Sequence, residues 1–179
     1  QIEALMSVPD ESVKGIRDRA ILELMYATGI RASEIIDMMC EDVNLRMGFL
    51  TCNGDNIRAR IIPIGSFARE AVERYVSSGR NILIKNNRDE GHLFVNHHGK
   101  PITRQGLWKI LKEYGEKAGF EIGLTPQVLR NSFAVHMLQN GADVKSLQEL
   151  MGHEDISATQ VYLAFTKNRI KDVYDRAHP

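Results

Sequence analysis

Only two cysteines, Cys40 and Cys52, stand among 179 residues, too few for a disulfide framework and in keeping with a reducing cytoplasm. Both read as small buried hydrophobes rather than as redox or metal-binding groups. No apolar run approaches membrane-spanning length and no signal peptide opens the chain, so the expected location is cytoplasmic. An excess of one charge is missing too. Lys and Arg number 23 and Asp and Glu 23, so composition does not announce a nucleic-acid binder, which more often carries a basic surplus. His97 and His98 have no further ligand at metal-binding spacing and read as exposed loop histidines; no metal and no cofactor are expected.

What is present suits one domain, residues 1–179, with a proper core, since 43% of the residues are hydrophobic. The pattern predicts an α+β fold that is mainly α-helical, with a small antiparallel β-hairpin or sheet on one edge. Between Val13 and Met39, apolar residues at Ile16, Ala20 and Leu24, then at Ile35, Ile36 and Met39, predict two helices broken at Thr28-Gly29. From Val43 to Ile64 the chain reads as strands, with a turn at Asn53-Gly54-Asp55-Asn56, because Asn-Gly is a strong hairpin signal. Residues 66 to 84 read as a helix through Phe67, Ala71, Val72 and Tyr75, and Leu93-Phe94-Val95 as a short strand. Thr103 can cap a helix whose apolar stripe is Leu107, Trp108, Leu111 and Tyr114; Trp108 is expected in the core.

Charge is distributed unevenly. Glu34, Asp37, Glu41 and Asp42 form an acidic block, whereas Lys100, Arg104, Lys109, Lys112 and Lys117 cluster with only Glu113 and Glu116 among them. Such a run is usually a solvated face, but a helix can also lay a basic side along phosphates.

The most informative stretch runs from Thr125 to Tyr162. Thr125 can cap a helix that starts at Pro126, where a missing N–H costs nothing, and Leu129, Phe133 and Met137 form its apolar face. Gln127 and Arg130, three apart, share another face. Gly141 ends that helix, a second runs through Val144, Leu147 and Leu150, and Gly152 stops it so that His153 lies in the exit turn. Ser157 and Gln160 make a capping-box pattern for a third helix, with Tyr162 in its first turns.

Leu129-Arg130, Leu150-Met151-Gly152-His153 and Tyr162, with Ala27-Thr28-Gly29-Ile30-Arg31-Ala32-Ser33-Glu34 far upstream, resemble the signature of the tyrosine recombinases, the phage-integrase and Xer-like family. The resemblance implies that family's catalytic domain and an enzyme that cuts and rejoins DNA through a 3′-phosphotyrosyl intermediate. Arg31 and Arg130 would clamp the phosphate, His153 would add a hydrogen bond, and Tyr162 would be the nucleophile. Thr103-Arg104-Gln105 also resembles the family, which makes Arg104, with Lys109, the expected DNA contact outside the active site.

Two positions depart from the family pattern. The hairpin turn usually carries a Lys that protonates the leaving oxygen, and the matching place is Asp55; three residues before the second Arg, where His is usual, stands Gln127. A carboxylate repels a phosphate, and a glutamine cannot act as a general base, though its amide can donate to a phosphate oxygen. Arg58 and Arg60 follow the turn. Arg58 is the candidate leaving-group stabiliser with water as proton source, and two exposed strand arginines is the alternative. A degenerate, non-catalytic DNA-binding relative therefore stands beside the active recombinase.

The implied partner is double-stranded DNA, bound by a homo-tetramer, with no membrane and no small-molecule substrate. A C-terminal helix with Ile170, Val173 and Tyr174 as its apolar stripe would dock either on a neighbouring protomer or on its own core. The chain begins at Gln1 rather than Met, as a piece of a longer protein would, and the small DNA-clamping domain that usually precedes this one is expected to be absent from it.

Overall fold

In the computed structural model, residues 1–54, 57–85 and 87–152 are described. A central helix sets the architecture. Helix α1 (Ile2–Ser7) leads into α2 (Val13–Thr28), which opens where the Ser12 side chain accepts the Gly15 N–H and closes at Gly29 in the left-handed region, φ +60°. Ala20, Ile21, Leu22, Leu24 and Met25 of α2 are all buried, because other helices cover it on several sides. Its buried charges are matched in place: Arg17 pairs with Asp18 at 2.6 Å and also donates to the Val95 carbonyl, while the Tyr114 hydroxyl donates to the other Asp18 oxygen. Burial pushes the Asp18 carboxyl up from its ordinary range even with Arg17 beside it.

Helix α3 (Ala32–Asp37) follows the Gly29 break and a short 3₁₀ turn, Cys40–Asp42, leads to the sheet. Strands β1 (Val43–Asn44), β2 (Phe49–Gly54) and β3 (Ile57–Pro63) form an antiparallel meander in the order β1-β2-β3, the small edge sheet that the sequence predicts. Leu50 faces Ile62 and Cys52 faces Arg60 across the β2–β3 ladder. Directly opposed residues share a face, and Leu50, Cys52 and Ile62 are buried, so this is the inner face and Arg60 lies on it. Ile61, one residue on, is exposed.

The expected helix over 66–84 is three pieces: α4 (Ser66–Arg74), a π-helical stretch Tyr75–Arg80 and α5 (Asn81–Ile84). Phe67 is 76% exposed rather than part of the inner face, which Ala68, Val72 and Tyr75 supply. No strand forms over Leu93-Phe94-Val95; that segment makes isolated bridges, Met39 with His92 and Val95 with Pro101, and its side chains fill the core instead.

Helix α6 (Arg104–Lys117) is capped by Thr103, whose hydroxyl accepts the Gly106 N–H at 3.0 Å. Leu107, Ile110, Leu111 and Tyr114 turn inward, but Trp108 is 44% exposed, against the expectation of a core position. Ile110 takes the place on the buried stripe that Trp108 was expected to fill, and Trp108, at i+4 from Arg104, lies on the solvent side with it. Helix α7 (Pro126–Gln139) starts at the Thr125 cap with Pro126 in its first turn, and α8 (Val144–Met151) starts at the Asp143 cap and ends on Gly152, φ +64°. Phe133, Ala134, Leu147 and Met151 close a small second core between α7 and α8.

Candidate functional site

Three helix ends and one strand meet at a cluster of arginines. The C-terminus of α2, the N-terminus of α3 and the C-terminus of α8 supply backbone carbonyls and a carboxylate; β3, α7 and the residue that caps α3 supply guanidinium groups. Arg130, buried on α7, donates to the carbonyls of Gly29 and Met151, the latter at 2.5 Å. Arg31 precedes α3, and its Nη2 donates to the Gly152 carbonyl at 2.7 Å. Two arginines far apart in sequence therefore hold successive carbonyls at the end of one helix. Arg31 is 30% exposed, so the cluster opens to solvent on that side.

The glycines at both helix ends are required by the packing as well as by the backbone. A Cβ on Gly29 would overlap the Phe133 ring, and one on Gly152 would lie 2.9 Å from the Arg60 Cζ. Left-handed φ at each position already disfavours any L side chain.

Glu34 and Arg60 form the rest of the cluster. Arg60 Nη1 and Nη2 meet the two oxygens of Glu34 at 2.6 and 2.9 Å, a bidentate pair in which the side chains are only 8% and 6% exposed. Arg60 Nε donates to the Leu150 carbonyl at 2.8 Å. Glu34 also accepts the Arg31 backbone N–H at 2.7 Å and, at 3.5 Å, the Arg31 Nη1. Burial on its own would push the Glu34 carboxyl up, but the Arg60 hydrogen bonds, the Arg31 N–H and both positive charges outweigh it and hold the carboxyl below its usual range. Nearby Cys52 is pushed up to about 12 by burial and by the Glu34 charge, so its thiol is not a nucleophile at neutral pH.

The other expected site residues fall as follows. Gln127 is exposed in the first turn of α7 and donates to Asn131 Oδ1 at 2.6 Å. Arg104 and Lys109 are exposed on α6 and have no ion pair among the described residues. The rest of the basic cluster is partly neutralised, because Lys100 pairs with Glu90, Lys112 with Glu116 and Lys117 with Glu113. Arg58 belongs to β3. Asp55, His153 and Tyr162 lie outside the described residues, as do Ile170, Val173 and Tyr174. His153 is the next residue after Gly152, whose carbonyl Arg31 holds.

The sequence alone sets Glu34 in an acidic block and favours Arg58 over Arg60. The missed signal was parity. Arg60 alternates in step with Ile62 on β3, whose side chain is buried, and a charge on an inward face demands a buried counter-charge. Among the described residues no three His, Cys, Asp or Glu side chains gather as metal ligands. A cavity of about 1000 Å³, lined in part by Met6, Tyr26, Phe67, Phe120, Ile122 and His136, includes none of the arginine cluster. What the cluster offers chemically is fixed positive charge, held by backbone carbonyls and one carboxylate at a surface opening.

The profile of the phage integrase family matches residues 1–169. Tyrosine recombinase XerD of Halalkalibacterium halodurans is 48% identical over 180 aligned positions, which cover 100% of this chain and 60% of that protein. XerD of Listeria innocua is 46% identical over 179 positions, covering 99% of this chain and 60% of the relative. The chain thus spans about 60% of the length of the curated relatives it matches. Among solved structures, the XerA recombinase superposes with a TM-score of 0.85 at 23% identity, over 99% of this chain and 63% of that one. The XerH site-specific recombinase, in a post-cleavage complex with a palindromic difH substrate, gives 0.80 at 23% identity, over 96% and 49%. At such identities the structures establish a shared fold.

Proposed function

The chain belongs to the phage integrase family, and from that membership we propose that it is the catalytic domain of a site-specific tyrosine recombinase that cuts and rejoins DNA strands. The observation that supports this most is the meeting of Arg31 and Arg130 on the Gly152 and Met151 carbonyls, at the helix end that His153 follows. Phosphoryl transfer asks chiefly for positioning and for neutralisation of the nonbridging oxygens, and two guanidinium groups in one place meet that need.

In the proposed reaction a phosphate takes over guanidinium donors of Arg31 and Arg130, and His153 adds a hydrogen bond. The Tyr162 oxygen attacks phosphorus; the O–P bond forms as the bond to the 5′ oxygen breaks, and the products are a 3′-phosphotyrosyl link and a 5′ hydroxyl. Tyrosine has an ordinary pKa of about 10, so a cationic pocket is what gives it phenolate character near neutral pH. Gln127 donates its amide to the phosphate, and Arg58 stabilises the leaving oxygen by charge while water supplies the proton. Attack by another strand's 5′ hydroxyl reverses the step on a new partner, since the link conserves the bond. No metal or cofactor takes part.

The same proposal includes double-stranded DNA as the partner, Arg104 and Lys109 as phosphate contacts, and a homo-tetramer in which the segment carrying Ile170, Val173 and Tyr174 docks on a neighbour. It also includes a DNA-clamping domain preceding this one in the longer protein, as the length of the curated relatives allows, and action in the cytoplasm.

Incubation of the full-length protein with a nicked suicide substrate carrying its recombination site tests the reading. A covalent protein–DNA adduct is expected from wild type and none from Tyr162→Phe. No adduct from wild type, or an undiminished adduct from the variant, refutes it.

A further inference from the structure

Glu34 poses a problem for any phosphate clamp built on Arg31. A carboxylate with a side-chain exposure of 6% sits beside that arginine, already accepts its backbone N–H at 2.7 Å, and is the natural competitor of a phosphate for its guanidinium. Yet Arg31 Nη1 reaches Glu34 only at 3.5 Å, and its Nη2 turns away to the Gly152 carbonyl. The reason is Arg60. Its two Nη groups occupy both Glu34 oxygens at 2.6 and 2.9 Å, so the carboxylate is neutralised from the β3 side. The same guanidinium holds the Leu150 carbonyl and packs against Gly152.

Resting on the function proposed above, we propose that Arg60 is a positioning residue for the phosphate clamp: it occupies Glu34 so that Arg31 remains available to a phosphate. The charge balance makes the dependence plain. With Arg60, the trio of Arg31, Arg60 and Glu34 carries one net positive charge. Without Arg60 it carries none, and a buried carboxylate left with a single cation recruits that cation fully. A strand residue that touches no substrate thereby governs whether the first arginine of the clamp is free.

Rescue separates this role from a merely structural one. Removing the competitor relieves the loss if Arg60 acts through Glu34, whereas a second lesion in a structural pair deepens it. Glutamine at position 34 keeps a carbonyl oxygen for the Arg31 N–H but has no charge. In single-turnover adduct formation on the suicide substrate, Arg60→Met is expected to slow cleavage by about 10- to 100-fold, the scale that misplacement of a positioned group costs. The double variant Glu34→Gln/Arg60→Met is expected to recover to within about threefold of wild type, a coupling typical of residues in contact. If Arg60→Met does not fold, as judged by its thermal melt, Arg60→Gln takes its place, since it keeps N–H donors and drops the charge.

A double variant as slow as the single one or slower overturns the proposal, as does a single variant at wild-type rate. Should wild type form no adduct at all, the recombinase reading fails, and the inference is then judged by NMR titration of the same proteins with inorganic phosphate. Weaker binding in Arg60→Met that returns in the double variant supports it; equal binding in all three, or none in any, overturns it.

Discussion

Gly29→Ala probes the junction on which the arginine cluster is built. Gly29 ends α2 at φ +60°, its N–H bonds to the Met25 carbonyl at 3.0 Å, and its own carbonyl accepts from Arg130. An L residue held in the left-handed region costs about 1–2 kcal/mol. The new methyl carbon would also lie 3.0 Å from Phe133 Cγ and closer still to Cδ1, and Phe133 is 7% exposed, so the ring cannot simply swing into solvent. Overpacking of this kind costs about 1–3 kcal/mol. Together the two effects predict a loss of about 2–5 kcal/mol, which for a chain of this size lowers the melting temperature by roughly 5–20 °C. Urea and thermal unfolding measure it. Gly29→Asn tolerates the backbone better but still carries a Cβ, so it retains most of the steric loss. In Gly29→Ala/Phe133→Ala the clash has no partner, and the double variant should fall short of the sum of the singles by about 1–3 kcal/mol. A loss below about 1 kcal/mol for Gly29→Ala, or additivity within about 0.5 kcal/mol, refutes the steric reasoning.

Two further outcomes are expected. The Arg80 hydrogen bonds and then the Gly91 N–H hold Asp89 down at about 2 from its ordinary 3.8, so its stabilisation is fully present above pH 3.8 and is lost as pH falls toward 2. Asp89→Asn should therefore cost at most about 1 kcal/mol near neutrality, because the carboxylate is half exposed and screened, and the gap from wild type should close over that acid window; a pH-independent gap in the melts contradicts it. For Arg104→Ala, fluorescence anisotropy on duplex DNA at several salt concentrations should give a log K against log salt slope shallower by about 0.9, and an unchanged slope removes Arg104 from the phosphate contacts.

Much of the helical framework was readable because its signals are local. Thr103, Thr125 and the stops at Gly29 and Gly152 each announce themselves within a turn of the residue concerned. The Asn-Gly pair likewise marks the end of β2, where Gly54 pairs with Ile57 of β3. Burial is not a local signal of this kind. Trp108 and Phe67 are large and apolar and sit in helices, yet each lies on the face its helix turns to solvent, because the stripe is chosen by what packs against it rather than by size alone. Leu93-Phe94-Val95 has strand composition and finds no partner strand, so it is drawn into the core by its side chains.

The family and the mainly helical fold were matters of pattern along the chain, and so was the choice of Arg31, Arg130, His153 and Tyr162 as the proposed site, since motif spacing and helix punctuation need no knowledge of what lies across the core. The company those residues keep was not. That Arg31 and Arg130 would grip neighbouring carbonyls of α8, and that Glu34 would be claimed by Arg60 from the sheet, depends on three helix ends and a strand converging. Charge pairing across such distances in sequence is decided by which faces the core leaves buried, where an unmatched charge is too costly to persist.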